Sequence, residues 1–247
     1  MRIAFSKPVP PEDFERLASD FRAEGYEGLQ LKAGQYLPYL ETPEAFAAKY
    51  AQPGVASALI YFDELDTARL DAVVDFATAV GSELVVFCHN RTRDSVAPGE
   101  LATIAQQLAV SGARARGLGI GLSLHHHYDQ PVMLPEDVRE FWGAIESGLV
   151  GLTVDTAHLA KSGVGDIPGF LAEFAPIIDN IHLKDYSHGE WRLLGEGELD
   201  LEGVLRQLAA ADFDGWLCVD EESAASLDQG FRVSRIWLDQ HLPAQAR

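Results

Sequence analysis

Cysteine is nearly missing from this 247-residue chain, which has only Cys88 and Cys218. Each lies inside an apolar stretch, so two buried free thiols are expected rather than a disulfide scaffold, and a cytoplasmic address follows as the default. Cations are also scarce, with 19 Lys and Arg against 38 Asp and Glu and a formal charge of −19. Phosphate backbones and anionic lipids attract clustered cations, so nucleic acid and membrane surfaces are poor partners for such a chain. No apolar run approaches the ~20 residues needed to span a bilayer, and no apolar segment with a cleavage site follows Met1-Arg2-Ile3-Ala4-Phe5-Ser6. The Gly-rich phosphate turn of dinucleotide folds is absent after that first stretch, where Lys7-Pro8-Val9-Pro10 stands instead. No Pro/Ser/Gly-rich linker interrupts the sequence, and residues 1–247 read as one domain.

What is present is globular. Hydrophobic residues make up 47% of the chain, enough for a large core. Short apolar runs alternate with amphipathic segments throughout. The runs predict strands at Arg2–Ser6, Gly28–Lys32, Ala56–Phe62, Glu83–His89, Gly119–His127, Gly151–Asp155, Asn180–Lys184 and Trp216–Asp220. Between them lie helical periods such as Leu101, Ile104, Ala105, Leu108 and Ala109, or Leu201, Val204, Leu205, Leu208 and Ala209. Pro135 followed by Glu136 and Asp137 marks a helix start. Eight strand–helix repeats with no domain break predict an α/β fold, a single (β/α)8 TIM barrel.

Catalytic groups in such a barrel come from the C-terminal strand ends. The fifth strand ends in His125-His126-His127, the sixth in Asp155, the seventh in His182 and Lys184, and the eighth in Asp220 and Glu222. Period-2 alternation turns Leu217 and Val219 toward the helices and Cys218, Asp220 and Glu222 inward. The same parity sends His182 and Lys184 inward, and His125 and His127 but not His126. Imidazoles and carboxylates therefore converge on one mouth, a donor set suited to a divalent ion such as Mn²⁺, Co²⁺, Zn²⁺ or Fe²⁺. Taken singly, Asp155 also reads as a cap for the helix near His158.

At these strand ends the sequence resembles the xylose-isomerase-like barrel superfamily along essentially its whole length. The matching pieces are Asp155-Thr156-Ala157-His158, His182-Leu183-Lys184-Asp185, Gly195-Glu196-Gly197-Glu198-Leu199-Asp200 and Gly215-Trp216-Leu217-Cys218-Val219-Asp220-Glu221-Glu222, with Tyr26-Glu27-Gly28-Leu29-Gln30-Leu31-Lys32 in the second strand. The resemblance implies metal ligands at His125, Asp155, His182 and Asp220, where the family usually has Glu, Asp, His and Glu. Two of these depart from the pattern, and His125-His126-His127 is similar to the H-x-H segment of the inosose dehydratase branch.

The implied activity is sugar isomerisation or epimerisation by proton abstraction next to a carbonyl, through an enediolate. Glu222, His127 and His125 are the candidate proton carriers, and Lys184, Arg192 and His158 the candidate substrate contacts. The cofactor is a divalent metal ion (Mn, Co, Zn, Fe or Mg), and the partner a small-molecule sugar or keto-polyol. A keto-polyol dehydratase is the alternative. A silent sugar-binding barrel, or an endonuclease drawing further ligands from His89, His158 and His188, is less favoured, and a homo-oligomer is left open.

Overall fold

All eight predicted strands form, three with the expected bounds and the others with ends moved by at most two residues. They are β1 (Arg2–Ser6), β2 (Gly28–Leu31), β3 (Ala58–Asp63), β4 (Leu84–His89), β5 (Gly121–His125), β6 (Gly151–Asp155), β7 (Ile178–Leu183) and, after a hairpin of β8 (Asp185–Ser187) and β9 (Glu190–Arg192), β10 (Trp216–Asp220). The computed structural model describes residues 1–242; positions 243–247 of the expected domain lie outside the described residues. The barrel strands pair in parallel in the closed order β1-β10-β7-β6-β5-β4-β3-β2, a (β/α)8 TIM barrel, while β8 and β9 pair antiparallel. No described helix is long and apolar enough to cross a membrane.

The helices are α1 (Pro11–Asp20), α2 (Ala33–Tyr36), α3 (Pro43–Lys49), α4 (Thr67–Val80), α5 (Glu100–Gly117), α6 (Pro135–Gly143), α7 (Thr156–Lys161), α8 (Ile167–Phe174), α9 (Leu201–Ala210) and α10 (Leu227–His241). Local chemistry fixes their ends. Asp66 accepts from the Ala68 and Arg69 amides to start α4, and Gly81 ends it at φ 74°, a conformation costly for any residue with a Cβ. Leu101, Ile104, Ala105, Leu108 and Ala109 are the buried stripe of α5, as their spacing predicts.

Alternation along the strands divides the molecule into two cores. Outward residues such as Leu59, Val85, Leu152, Ile181, Leu217 and Val219 are fully buried beneath the helices, each contributing about 1.5–3 kcal/mol by leaving water. Inside the barrel, the β3–β4 side is apolar, with Ala58, Ile60, Leu84, Val86 and Cys88 in one cluster. Strands β2, β5, β6 and β7 add buried Gln30, Ser123, Thr153 and Asn180. Cys88 and Cys218 are both buried free thiols.

Both ends of β5 move inward by two residues. Gly119 has φ 78° and cannot begin a strand, so β5 starts at Gly121. It also stops at His125, because the chain turns through Asp129 at φ 61°. His127 therefore leaves the alternation that predicted its inward direction.

Candidate active site

Four adjacent strands deliver the site. Pairing sets Asp155 beside His182, His182 beside Cys218, and Asp220 beside Ser6, so these side chains share the upper layer of the barrel. His125 Nε2 lies 3.6 Å from Asp155 Oδ2, and His182 Nδ1 lies 3.7 Å from Asp220 Oδ2. One donor atom each from His125, Asp155 and His182 falls within 4.8 Å of the others, and this is the metal-compatible cluster among the described residues.

Asp155 serves both readings that the sequence allowed. Its Oδ1 accepts from the Ala157 and His158 amides at 2.9 Å and caps α7. Its Oδ2 is buried without a hydrogen-bond partner, as are His125 Nδ1 and His182 Nδ1. Buried polar atoms are rarely left so. Once His125 gives up its proton, two imidazoles and a carboxylate offer lone pairs that fit a divalent ion, which such N/O donors bind well.

Two ammonium groups share this layer. Lys184 Nζ lies 3.2 Å from Asp155 Oδ2 and 2.8 Å from both Asp220 Oδ2 and Glu222 Oε2. Lys32 Nζ lies 2.6 Å from Asp220 Oδ1 and 2.8 Å from Glu222 Oε1. Burial alone would raise the Asp155 and Asp220 carboxyls, but Lys184 on both and Lys32 on Asp220 hold them well below the usual range. Glu222 is lowered against the same burial by these two lysines. Burial alone would lower Lys184, yet the three carboxylates hold it well above its ordinary value. Three carboxylates thus face two ammonium groups. The balance falls on His125, where burial is outweighed by the Cys88 sulfur and the Asp155 carboxylate and the imidazole rises to about 10. Burial takes His182 the other way, well below its ordinary value.

Of the expected site residues, His125, Asp155, His182, Lys184, Asp220 and Glu222 meet in this one cluster. Asp220, however, gives both oxygens to lysines and stands outside the tight trio of donors. His158 sits on α7 with Nε2 4.0 Å from Asp155 Oδ2. His127 lies at the mouth with its ring centroid 3.7 Å from that of His158, and burial lowers it to about 4. Arg192 is on the hairpin, bonded to Glu190 and Ser187. His126 points outward as predicted, accepting the Asp155 amide at 2.9 Å and packing near Phe170. His89 accepts from the Arg91 amide, and His188 pairs with Glu198 at the surface.

A cavity of about 570 Å³ opens beside the cluster, lined among others by Lys161, Trp191, Arg192, Glu222, Ser223 and Gln229. Trp191 has Lys161 at 4.9 Å and Lys184 at 5.1 Å from its ring centroid. Lys32, Gln30 and Trp191 were not anticipated as site residues. Leu29 and Leu31 face outward, so the alternation used for the later strands already turns Gln30 and Lys32 inward. Trp191 gave no such signal, because a short hairpin after the seventh strand has no apolar run of its own.

A closed parallel barrel with imidazoles, carboxylates and lysines gathered at the C-terminal mouth of β5, β6, β7 and β10 defines a class of barrel proteins with a metal-compatible polar site. Residues 18–241 match the family described as xylose isomerase-like TIM barrel, and the chain belongs to it. An inosose dehydratase of Bacillus thuringiensis (strain Al Hakam) is 26% identical over 150 residues, which is 53% of this chain and 50% of that protein. The chain thus spans about half the length of the first curated relatives it matches. An L-ribulose 3-epimerase structure aligns over 99% of this chain and 95% of its own, with a TM-score of 0.78 and 17% identity. The structure of IOLI protein with a binding zinc atom aligns over 98% and 96%, with a TM-score of 0.76 and 17% identity. At these identities the structural likeness is one of fold.

Proposed function

We propose that the protein is a metal-dependent sugar isomerase or epimerase that removes the proton next to a substrate carbonyl. One observation carries this reading. Glu222 alone among the clustered residues also lines the 570 Å³ cavity, so one carboxylate is ion-paired to Lys32 and Lys184 within the cluster and also borders the space for a substrate. Its match to xylose isomerase-like barrels supports the assignment.

His125, Asp155 and His182 would hold a divalent ion of the Mn, Co, Zn, Fe or Mg class, with Asp220 as a fourth ligand. When bound, the ion supplies Lewis acidity toward the substrate carbonyl and an adjacent hydroxyl. Glu222, kept as a carboxylate by Lys32 and Lys184, accepts the α-proton. Lys184 stabilises developing negative charge on the substrate oxygen, and Arg192 and Trp191 form the outer wall. A proton supplied to the opposite face by a second carrier such as His125 epimerises, and the proton held by Glu222, returned to the neighbouring carbon, isomerises. We infer likewise a cytoplasmic enzyme acting on a small-molecule sugar or keto-polyol, built as one domain and independent of nucleic acid.

The test is exchange of substrate hydrogen with deuterated water across ketoses, keto-glycosides and keto-inositols, with Mn²⁺, Co²⁺ or Mg²⁺ supplied. Glu222→Gln should slow exchange by about 10²–10⁴-fold. Undiminished exchange in that variant removes Glu222 from the mechanism.

A dehydratase is the second reading, favoured by the imidazole at His125, which can carry a proton to a departing hydroxyl, and by the inosose dehydratase relatives. His125→Glu should then keep the metal and shift activity toward exchange without elimination. Rapid isomerisation by the wild type, with no elimination from any keto-polyol, rejects this second reading.

A further inference from the structure

A line of hydrogen bonds runs down the polar side of the barrel, away from the mouth. His182 Nε2 is 2.9 Å from Gln30 Oε1. Gln30 Nε2 donates to Asn180 Oδ1 at 2.7 Å, and Asn180 Nδ2 donates to Thr153 Oγ1 at 3.3 Å. Thr153 and Ser123 hydroxyls are 2.7 Å apart, and Ser123 donates to Asp179 Oδ1 at 2.6 Å. Asp179 lines a separate cavity of about 250 Å³ together with Gly121 and Gly151. These glycines begin β5 and β6, at the barrel end opposite the mouth.

The direction of this line follows from donor counting. Ser123 has one proton and gives it to the Asp179 carboxylate, so Thr153 must donate to Ser123. Thr153 can then accept from the Asn180 amide, whose oxygen accepts from Gln30. The Gln30 oxygen, which also accepts from Asn180 Nδ2 at 3.1 Å, faces His182. Turning the Gln30 amide over would force Asn180, Thr153 and Ser123 to reverse as well, and Asp179 would lose its donor. Above about pH 7, where Asp179 is charged, its carboxylate binds such donors strongly, so the line holds one polarity from end to end.

We propose that this line fixes His182 as the Nε2–H tautomer and leaves Nδ1 as its free donor atom, with Gln30 and Asp179 acting as positioning residues. The geometry at the other nitrogen agrees. Nδ1 has no hydrogen-bond partner and faces Asp220 Oδ2 at 3.7 Å, two lone-pair bearers suited to a cation between them. The inference rests on the reading of His182 as a metal ligand, and metal-ligating imidazoles are commonly oriented through their second nitrogen. Here the orienting group at the far end is a carboxylate on the same strand as the ligand, three residues away.

Burial pushes Asp179 up to about 7, so the test is run at about pH 9, where its carboxylate is charged. Ring ¹⁵N shifts of His182 in metal-free protein report which nitrogen carries the proton, and Zn²⁺ titration reports affinity separately. The wild type should show protonated Nε2. Gln30→Met should populate the Nδ1–H form and weaken Zn²⁺ binding about 10–100-fold, while Gln30→Glu, which still accepts from Nε2–H, should restore both. Asp179→Ala leaves Gln30 in place and should loosen the same preference from the far end, which keeps the test open should Gln30→Met fail to fold. Protonated Nδ1 in the wild type, or an unchanged tautomer in both Gln30→Met and Asp179→Ala, overturns the proposal. Predicted tautomers in a protein that binds no Zn²⁺ support the line and reject the metal reading alone.

Discussion

Asp155 shows how one side chain can carry a fold and a site together. Its two oxygens have separate duties, Oδ1 on the amides that begin α7 and Oδ2 toward His125 and Lys184. Asp155→Asn keeps a carbonyl oxygen for the cap and discards the charge. It should keep the cap but lose the buried ion pair with Lys184, costing about 3–5 kcal/mol in denaturant unfolding, while abolishing measurable Mn²⁺ binding by titration calorimetry. Asp155→Ala removes the cap as well, so it should cost about 0.5–2 kcal/mol more than Asp155→Asn. Equal losses of stability in the two variants would mean that the cap plays no separate part.

Between strands, two aspartates act on whole segments. Asp185 is buried and accepts from the amides of Tyr186, Gly195, Gly197 and Leu199, tying the β8–β9 hairpin and the loop that follows it to the barrel rim. Asp185→Ala should speed hydrogen exchange across residues 186–199 and raise KM more than it lowers kcat, because Trp191 and Arg192 ride on that segment. Asp179 acts through pH. Its carboxyl, raised by burial from 3.8 to about 7, holds a proton in the folded protein that the unfolded chain releases. Folded molecules therefore bind more protons between those values, so stability falls as pH rises through that window. The loss has an upper bound of about 4 kcal/mol and is smaller in practice because Asp179 borders a cavity. Asp179→Asn should gain stability over wild type at about pH 8 and show little difference near pH 4, read from urea midpoints at the two values. These devices also explain what was legible beforehand. Strand positions and the inward faces of His125, His182 and Asp220 follow from period-2 alternation, which survives wherever a strand does. His127 escaped because β5 ends two residues early at a turn, and Trp191 because the β8–β9 hairpin is too short to carry a period. Gln30 and Lys32 were readable by the same parity as their neighbours, since Leu29 and Leu31 mark the outer face.

At the scale of the whole molecule, the −19 formal charge and the buried donors make opposite demands on cations. The acidic surface attracts any divalent ion weakly and diffusely, and salt near 0.15 M, with a Debye length of about 8 Å, suppresses most of that attraction. A buried site of two imidazoles and carboxylates loses far less to screening, and it binds only the folded chain. Ligand that binds only the native state stabilises by mass action, about 2.7 kcal/mol at a hundred times Kd. For a chain of this length that corresponds to roughly 5–10 °C in Tm, taking about 2–4 °C per kcal/mol. Protein stripped with a chelator should therefore melt several degrees lower than protein given Mn²⁺ or Zn²⁺ in physiological salt. The difference should vanish in Asp155→Asn, which leaves the surface charge almost unchanged and removes one buried carboxylate of the proposed ligand set. A metal-induced rise that persists in Asp155→Asn and fades with added salt would assign the stabilisation to the acidic surface and leave the His125, Asp155 and His182 cluster without an ion.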